Sequence, residues 1–309
     1  MKANARILVV RRDNIGDLVC TTPLIAALRR ALPDAFIAAL VNSYNRDVLE
    51  RNPDLDRVYA YGKAKHRSGR ESLLGTYLRR AGLVLELRRE RFDYAILAAP
   101  GFQPRSLRFA RLAGARHVVG FTEGRSRAER RVDCPVPYGA PAARHEVEDA
   151  LRLLAPLGIA ASEPRLRVVP DPELAATMRA NVAAHFGSDV PGSGPLVALH
   201  ISARKPSQRW PAERFAALAR ALHERHGARV VLLWAPGSER NPTHPGDDEK
   251  ARALAAMLEG LPALPVPTFR LAELIAALDA CDALVCSDGG AMHLAAALGK
   301  PIVCFFGDS

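Results

Sequence analysis

The feature that most constrains this fold is an alternation of short β-rich runs with longer helical patterns along almost the whole chain. Such alternation is typical of βα units, which pack helices against parallel sheets, so we predict an α/β fold. The strand candidates of the first half are residues 7–10, 36–41, 58–61, 94–99 and 117–121. Those of the second half are residues 196–201, 229–235, 263–267, 283–287 and 302–306, with predicted helices at 212–226, 247–258, 271–278 and 291–298.

Two stretches rich in turn-forming residues interrupt the alternation and mark candidate domain boundaries. They lie at residues 160–172 and 187–195, and they flank a predicted helix at 173–186. The second stretch is the stronger break, so we expect an N-terminal domain over residues 1–187 and a C-terminal domain over residues 188–309. A chain of 309 residues is longer than most single cores, and each half has the pattern of a Rossmann-like domain.

Composition and cysteine usage exclude several classes of protein. Hydrophobic residues make up 49% of the chain and charged residues 25%, which are ordinary globular values and exclude a disordered chain. Only four apolar residues separate Arg6 from Arg11, too few for a signal-peptide core or a membrane span, so we expect a cytoplasmic protein. The five cysteines are odd in number and form no C-x-x-C pair, which favours reduced thiols over disulfides or a zinc site.

Positive charge is concentrated in the first half of the chain. Residues 63–131 contain 17 Lys and Arg against six Asp and Glu, a net charge of +11, whereas the whole chain carries +10. This asymmetry favours an anionic partner, such as nucleic acid, a lipid surface or a phosphorylated substrate, although a solvated arginine-rich surface has the same composition. Because the stretch lacks interleaved aromatic residues and a recognisable module, we expect no nucleic-acid partner.

The loop after the first predicted strand, RRDNIGDLVCTTP (residues 11–23), carries the first candidate site residue, Asp17. Parallel sheets bind ligands at the carboxyl ends of their strands. Neither half has the G-x-G-x-x-G or lysine-bearing P-loop pattern, which argues against nicotinamide enzymes and P-loop NTPases. Asp17 has two interpretations: a carboxylate that stabilises a helix start, or a general base that activates a hydroxyl. Thr22 and Pro23 are predicted as the N-cap and first residue of the next helix.

Two loops of the second half have the residues expected around a phosphate group. In HISARKPSQRWP (residues 200–211), hydroxyls and cations precede a predicted helix, which suits a pyrophosphate, and Trp210 is interpreted as a core residue. In SDGGAMHLAAALGKP (residues 287–301), two glycines open a small-residue helix whose free amides form an anion pocket. The candidate contacts are Ser202, Arg204, Lys205, Gln208 and Arg209 in the first loop and Asp288, Gly289, Gly290 and His293 in the second.

Three motifs, in order along the chain, resemble those of a known family. They are ILVVRRDNIGDLVCTTPLIAALRRALP at the start, HISARKPSQRWPAERFAALA in the middle and CDALVCSDGGAMHLAAALGKPIVCFFG at the end. They are similar to the motifs of the ADP-heptose:lipopolysaccharide heptosyltransferases, the family 9 glycosyltransferases of GT-B fold, and they bracket nearly the whole chain. The resemblance implies two Rossmann-like domains whose parallel sheets face a central cleft.

The resemblance also implies a reaction and roles for named residues. The reaction is inverting, metal-independent transfer of a heptose from ADP-L-glycero-D-manno-heptose to a hydroxyl of the lipopolysaccharide inner core, with Asp17 as general base and no cofactor besides the donor substrate. The C-terminal domain is expected to bind the donor through Ser202, Arg204, Lys205, Gln208, Asp288, Gly289, Gly290 and His293. The N-terminal domain is expected to bind the anionic acceptor through Asn14, Gly16, Lys63, Lys65, Arg67, Arg125 and Arg127. Peripheral contact with the inner face of the inner membrane is a further expectation.

The chain departs from the family pattern at several places. Gln208 stands where the family has lysine before its [R/H]-W-P element, and Gly289 stands where it has serine or threonine. The family's donor-binding glutamate corresponds to either Glu239 or Glu249. Relatives continue beyond the last residues with a further helical segment, which the C-terminal domain is expected to lack. Two alternatives remain open: a GT-B transferase that uses another nucleotide sugar, and a non-catalytic nucleotide- or glycan-binding relative.

Overall fold

A computed structural model describes residues 2–62, 73–139, 144–160, 164–187, 194–241 and 245–307 of the chain. Lys63, Lys65 and Arg67 of the expected acceptor site lie outside these ranges. The chain divides into two compact units, Met1–Val168 and Val169–Ser309. Within the described ranges, every helix is too short or too polar to cross a membrane.

The first unit is built on a parallel sheet. Its strands are β1 Arg6–Val10, β2 Phe36–Asn42, β3 Arg57–Tyr61, β4 Tyr94–Leu97, β5 His117–Thr122 and β6 Cys134–Pro137. Its helices are α1 Ile15–Val19, α2 Thr22–Ala31, α3 Leu73–Arg89, α4 Pro104–Leu112 and α5 Glu146–Arg152, with 3-10 turns at Ser43–Val48, Arg127–Arg131 and Ala155–Leu157. The strand order β3-β2-β1-β4-β5-β6 is that of a Rossmann sheet.

The inner strands of this sheet are buried runs of aliphatic residues. Leu8 of β1 packs in one core cluster with Leu40 of β2 and Leu97 of β4. A parallel sheet covered on both faces needs strands that are hydrophobic almost throughout, which is why the sequence pattern located five of the six strands. The unpredicted strand, β6, has proline at two of its four positions. Proline lacks a backbone N–H and is confined to sheet edges, and β6 is an edge strand.

The segment after β1 differs from the expectation in two ways. A short helix, α1, lies within the part that we predicted as a loop. The next helix, α2, begins at Thr22 with Thr21 as its N-cap residue, one residue earlier than predicted. The two threonine hydroxyls hold this arrangement, because Thr21 Oγ1 donates to the Asp17 carbonyl (2.9 Å) and Thr22 Oγ1 to the Val19 carbonyl (2.7 Å).

The second unit has a smaller parallel sheet of the same type. Its strands are β7 Leu196–His200, β8 Arg229–Trp234, β9 Ala263–Pro267, β10 Ala283–Ser287 and β11 Ile302–Phe305. Its helices are α6 Pro172–Phe186, α7 Ala212–His226, α8 Asp248–Met257, α9 Leu271–Ala280 and α10 Gly290–Ala297, with a 3-10 turn at Pro206–Gln208. The strand order is β11-β10-β7-β8-β9. Every predicted strand and helix of this half is confirmed, with ends that differ by at most two residues.

Helix α6 belongs to the second unit, which moves the division between the units. We expected the boundary after residue 187, whereas the units divide between Val168 and Val169. The reason is that α6 packs against α9, where Arg179 Nη1 forms an ion pair with Asp279 Oδ2 (2.8 Å). The division between the units therefore precedes α6 rather than following it.

Candidate functional site

Each sheet has one place where its strand order reverses, and the predicted loops lie there. In the first sheet β1 lies between β2 and β4, and in the second sheet β7 lies between β8 and β10. Open α/β sheets bind ligands in the crevice beyond the carboxyl ends of the strands at such a reversal. The loop with Asp17 follows β1, and the two loops with the expected donor residues follow β7 and β10.

The Asp17 carboxylate is held in the first turn of α1. The backbone N–H of Asn14 donates to Asp17 Oδ2 (2.8 Å), and the Asn14 side-chain amide donates to the same oxygen (3.0 Å). Asn14 is the N-cap residue of the helix, so the capping interpretation of Asp17 is confirmed. The other oxygen, Oδ1, is 3.9 Å from Arg11 Nη2, and the side chain is 26% exposed. One oxygen therefore fixes the carboxylate while the other is outside the cap.

Arg11 lies buried beside Asp17, with 2% of its side chain exposed. Its Nη2 donates to Glu146 Oε1, its Nη1 donates to the Ala98 carbonyl, and its Nε is 3.1 Å from Asp13 Oδ2. The guanidinium thus joins the ends of β1 and β4 to the start of α5. A guanidinium keeps its charge in proteins, so burial requires such carboxylate partners.

The rest of the β1 loop is clamped through its backbone. The Asp13 carbonyl accepts hydrogen bonds from Tyr44 Oη (2.6 Å), Asn45 Nδ2 (3.1 Å) and Asn42 Nδ2 (3.1 Å). These three residues lie at the end of β2 and in the 3-10 turn that follows. The loop is consequently tied to the neighbouring strand and presents Asp17 in one position.

Arg12 lies against aromatic rings beside the same loop. Its guanidinium carbon is 4.8 Å from the centre of the Tyr61 ring and 4.9 Å from that of Phe109. Its Nε also donates to Tyr61 Oη (2.6 Å). This cation–π arrangement anchors the loop to the end of β3.

Two of the expected acceptor arginines lie after β5. Arg125 is 82% exposed and forms an ion pair with Glu123 Oε2 (3.0 Å), and Arg127 is exposed in the following 3-10 turn. Glu129, buried beneath them, accepts hydrogen bonds from the backbone N–H groups of Glu123, Gly124 (2.7 Å), Arg125 (2.9 Å) and Ser126 (2.7 Å). Burial acts to raise the pKa of Glu129, but these hydrogen bonds outweigh it and hold that pKa below its usual value. Asn14 and Gly16, also expected at the acceptor, lie after β1.

The expected donor residues of two loops meet at the reversal of the second sheet. Gln208, after β7, donates from Nε2 to Asp288 Oδ2 (2.6 Å), after β10. The Asp288 N–H donates to the Phe305 carbonyl of β11 (2.9 Å). Gly289 caps α10, and a Cβ built on it would come no closer than 3.9 Å to another residue, so the helix start is open. His293 is half-buried one turn along α10.

One end of the loop after β7 is held by aromatic packing, and its outer end carries exposed cations. Trp210 stacks on Phe305 (4.1 Å between ring centres) and meets Phe215 edge to face (4.9 Å), which confirms it as a core residue. Arg204 and Lys205, at the outer end of the loop, are exposed. Gly307 lies under the loop, because a Cβ there would be 2.2 Å from the Ser207 carbonyl oxygen.

A cluster of charges supports this loop from below. Arg209 donates to the Ala203 carbonyl (3.0 Å) and pairs with Glu239 and with Asp247 Oδ1 (3.3 Å). Burial raises the pKa of Asp247, and the neighbouring Ser202 hydroxyl and the charge of Arg209 oppose this. Glu239, one of the two candidates for the family's donor-binding glutamate, therefore lies beside the predicted donor loop.

Burial also sets the charge states next to this cluster. Burial lowers the pKa of Lys250, whose Nζ donates to the Ile201 carbonyl (3.0 Å). Burial, with the charge of Lys250, lowers the pKa of His200 to about 4, so His200 is neutral near pH 7. The loop after β7 is therefore supported by a neutral histidine and a network of paired charges.

Comparison with known proteins places the chain in a family. The family model described as glycosyltransferase family 9 (heptosyltransferase) matches residues 80–309. The chain belongs to glycosyltransferase family 9. It is a glycosyltransferase, as the three sequence motifs predicted.

Several family 9 relatives match nearly the whole chain. Lipopolysaccharide heptosyltransferase 2 of Escherichia coli strain K12 is 26% identical over 310 residues, which cover 98% of this chain and 83% of that protein. Lipopolysaccharide heptosyltransferase 1 of Pseudomonas aeruginosa is 28% identical over 307 residues, which cover 98% of this chain and 78% of that protein.

Solved structures of family 9 proteins share the fold. The glycosyl transferase family 9 protein from Veillonella parvula DSM 2008 has a TM-score of 0.82 at 24% identity and covers 100% of this chain and 83% of its own. The E. coli ADP-heptose LPS heptosyltransferase II has a TM-score of 0.69 at 22% identity, with coverage of 97% and 84%. An E. coli heptosyltransferase with ADP has a TM-score of 0.73 at 18% identity, with coverage of 97% and 86%. These likenesses confirm the predicted GT-B fold.

Several residues around the site of this family 9 chain were missed by the sequence analysis. Glu146 belongs to no motif that we identified, Glu129 was given no role although it lies beside Arg125 and Arg127, and the burial of Arg11 was not predicted. The sequence held one weak signal, which is that each glutamate lies in the first turn of a helical segment. Acidic residues are common there for reasons of capping alone, so that signal does not identify a site.

Cysteines and metal ligands add little to the site. None of the five cysteines forms a disulfide, and burial raises the pKa of Cys20 to about 11 and that of Cys281 to about 12, so both thiols stay protonated near pH 7. Over the ranges that the structure describes, no group of three or more His, Cys, Asp and Glu side chains is arranged to hold a metal ion.

Proposed function

We propose that this chain transfers a heptose from ADP-L-glycero-D-manno-heptose to a hydroxyl of the lipopolysaccharide inner core, with inversion and without a metal ion. Membership of family 9 supports the reaction class. Relatives over most of the chain are lipopolysaccharide heptosyltransferases by name, and one structural relative was solved with ADP. These properties of relatives are the reason to choose this donor and this acceptor.

The observation that carries the proposal is the contact between Gln208 and Asp288 at the strand-order reversal of the second sheet. It joins the two loops that we expect to bind the donor, directly beside the open start of α10. Backbone amides at a helix start stabilise a phosphate, and cations nearby stabilise the charge that grows on a leaving diphosphate. Arg204 and Lys205 supply that positive charge in the proposed mechanism, and Ser202, Gly289, Gly290 and His293 complete the donor site.

Asp17 is the proposed general base. In the proposed reaction Asp17 Oδ1 takes the proton of the acceptor hydroxyl, the hydroxyl oxygen attacks the anomeric carbon, and the bond from that carbon to the diphosphate breaks. ADP leaves with the electron pair, and attack from the opposite face inverts the anomeric centre. The hydrogen bonds from Asn14 to Oδ2 support this role, because they orient the carboxylate without using Oδ1.

The first unit supplies the proposed acceptor site. Anionic groups of the inner core are proposed to meet Arg125 and Arg127, whose loop is organised by Glu129, together with Asn14 and Gly16. The positively charged stretch at residues 63–131 supports an anionic acceptor. A cytoplasmic location with peripheral contact at the inner membrane is part of the proposal, since lipopolysaccharide precursors are membrane lipids.

The decisive experiment offers the purified chain ADP-heptose and a series of stepwise truncated lipopolysaccharide cores. We expect transfer to one core, with an inverted anomeric configuration by NMR and equal activity in the presence of a chelator. A matched panel of UDP- and GDP-sugars tests the donor, and we expect ADP but not UDP to raise the melting temperature.

Each other outcome selects a different conclusion. Transfer from a UDP- or GDP-sugar alone identifies another GT-B transferase. Loss of activity with the chelator, restored by a divalent cation, overturns the metal-independent mechanism. Thermal protection by ADP without transfer from any donor to any core identifies a non-catalytic relative.

A further inference from the structure

The carboxyl group of Glu146 lies in the surroundings of Asp17. Glu146 is the first residue of α5, and its Oε1 accepts a hydrogen bond from Arg11 Nη2. The same nitrogen is 3.9 Å from Asp17 Oδ1. The Glu146 and Asp17 side chains are 28% and 26% exposed, whereas Arg11 is buried. Arg11 Nη2 therefore faces two carboxylates, and it donates a hydrogen bond to that of Glu146.

The charges in this group do not balance. Arg11 carries one positive charge and faces the carboxylates of Asp13, Asp17 and Glu146. Burial raises the pKa of Glu146, and the charge of Asp17 and a hydrogen bond to Asp17 raise that pKa further. The charge of Arg11 acts in the opposite direction. Glu146 and Asp17 consequently interact directly.

The other titratable groups near this pair are few or have their own partners. Cys20 interacts electrostatically with Glu146, Arg11 and Asp17, and it stays neutral near pH 7 because burial raises its pKa to about 11. The Ser43–Val48 turn packs against α1, and α2 packs against α5. In these elements and in α5, three arginines form ion pairs: Arg46 with Glu50, Arg29 with Asp56 and Arg152 with Asp149. The other charged residues there are Asp47, Arg30 and Glu148.

We propose that Glu146 is a positioning residue for Asp17: it occupies the Arg11 nitrogen that would otherwise pair with Asp17, and so keeps Asp17 able to accept a proton from the acceptor hydroxyl. This inference rests on the proposed role of Asp17 as general base. At 3.9 Å, Asp17 Oδ1 is beyond hydrogen-bonding distance of Arg11. A carboxylate that pairs closely with a guanidinium is a weaker base, because the opposite charge favours its ionised form.

Glu146→Gln tests the inference, because glutamine has nearly the same shape but no charge. We expect the acid limb of the kcat profile to move to lower pH by about one unit, since Asp17 loses a neighbouring negative charge and a neutral amide holds Arg11 less strongly than a carboxylate does. The plateau kcat falls by about three- to tenfold, because a weaker base is less effective. Glu148→Gln, an exposed position on the same helix, makes the same change of charge and leaves both quantities unchanged.

A second readout does not depend on turnover. In protein labelled with ¹³C at the aspartate carboxyl carbons, the Asp17 signal, assigned by its loss in Asp17→Asn, is titrated in wild type and in Glu146→Gln. We expect the Asp17 midpoint to fall in the variant. Glu146→Asp, which keeps the charge on a shorter side chain, brings the midpoint back toward that of wild type.

The outcomes separate this inference from the proposed function. An acid limb and an Asp17 midpoint that stay in place in a folded Glu146→Gln protein overturn the inference, and Glu146 is then a structural partner of Arg11 only. If the Asp17 midpoint moves while wild type transfers no sugar, the proposed function fails and the electrostatic link between the two residues stands. If Glu146→Gln does not fold, Glu146→Ala, which also removes the charge, is titrated in its place, and an Asp17 midpoint equal to that of wild type in that variant overturns the inference.

Discussion

The loop after β1 in the first unit and the loop after β7 in the second use positive charge in opposite ways. Arg11 is buried, and its nitrogens face the carboxylates of Glu146 and Asp13 and the carbonyl of Ala98. Arg204 and Lys205 are exposed at the outer end of their loop. A fixed cation can set the position and basicity of one carboxylate, whereas exposed cations can adjust to a bound anion, which is the role proposed for them at the donor diphosphate. The difference predicts that variants of the first loop change proton transfer and stability, and that variants of the second change donor binding.

Asp17→Asn has the largest expected effect on activity. The amide keeps the size of the side chain but cannot accept the hydroxyl proton, so kcat should fall by about 10²- to 10⁴-fold. The affinity for ADP, measured by titration calorimetry, should not change. Asp34→Asn, an exposed aspartate between α2 and β2, is the matched control. An Asp17→Asn enzyme as active as wild type would show that another group is the base.

Arg11→Met has the largest expected effect on stability. It leaves Glu146 and Asp13 near each other without their shared cation, and we expect a loss of about 2–3 kcal/mol of unfolding free energy, reduced from that of a fully buried pair because the carboxylates are part-exposed. Urea denaturation measures it. Arg125→Met removes an arginine that is 82% exposed and should cost no more than about 0.5 kcal/mol. Equal losses in the two variants would contradict the distinction between fixed and exposed cations.

Arg204→Ala and Lys205→Ala are expected to act on the donor alone. Each removes one exposed charge near the proposed diphosphate, and we expect KM for the donor to rise by about tenfold per residue, with an unchanged melting temperature. Arg225→Ala, exposed in the last turn of α7, is the control for a general loss of positive charge. A fall in stability without a change in donor KM would place these residues in the scaffold.

Glu129→Gln has the smallest expected effect, because the amide retains one oxygen to accept the backbone N–H groups of the loop. We expect a lower melting temperature and a severalfold rise in KM for the acceptor. The pKa of Glu129 is lowered from 4.5 in the folded protein, so its ionised carboxylate stabilises the fold above that pH and the contribution is lost as the pH falls through the folded pKa. The difference in melting temperature between wild type and variant should therefore shrink on acidification below pH 4.5, and a constant difference would contradict this.

Most of the fold could be predicted from the sequence because periodicity reports burial directly. β10, buried between two neighbours, was placed correctly from its apolar run. β6 was missed because proline removes the hydrogen-bond donors that a central strand needs, and only tertiary context shows that its place is an edge. α1 was missed because five residues are too few for a periodic pattern. The position of α6 depends on its packing with α9, which the turn-rich stretch that follows α6 does not reveal.

The candidate site was predictable only where its residues lie in contiguous motifs. Asp17, Gln208 and Asp288 each follow a predicted strand, and the rule for parallel sheets directs attention to those loops. The contact of Arg11 with Glu146 joins residues 135 positions apart in the chain. No local pattern encodes such a pair, because its formation depends on the packing of α5 at the end of β1. The roles assigned to the motif residues stay predictions until the variants are measured.

The close approach of Gly307 to the Ser207 carbonyl has a consequence for comparing family members. A side chain at position 307 leaves no room for the backbone at position 207 in the loop after β7, so the two positions are under one steric constraint despite their separation in sequence. Related chains that carry a larger residue at 307 must have moved the turn at 207, and with it the residue that occupies the place of Gln208. Substitutions at the two positions are therefore expected to occur together among homologues, because each position limits the other.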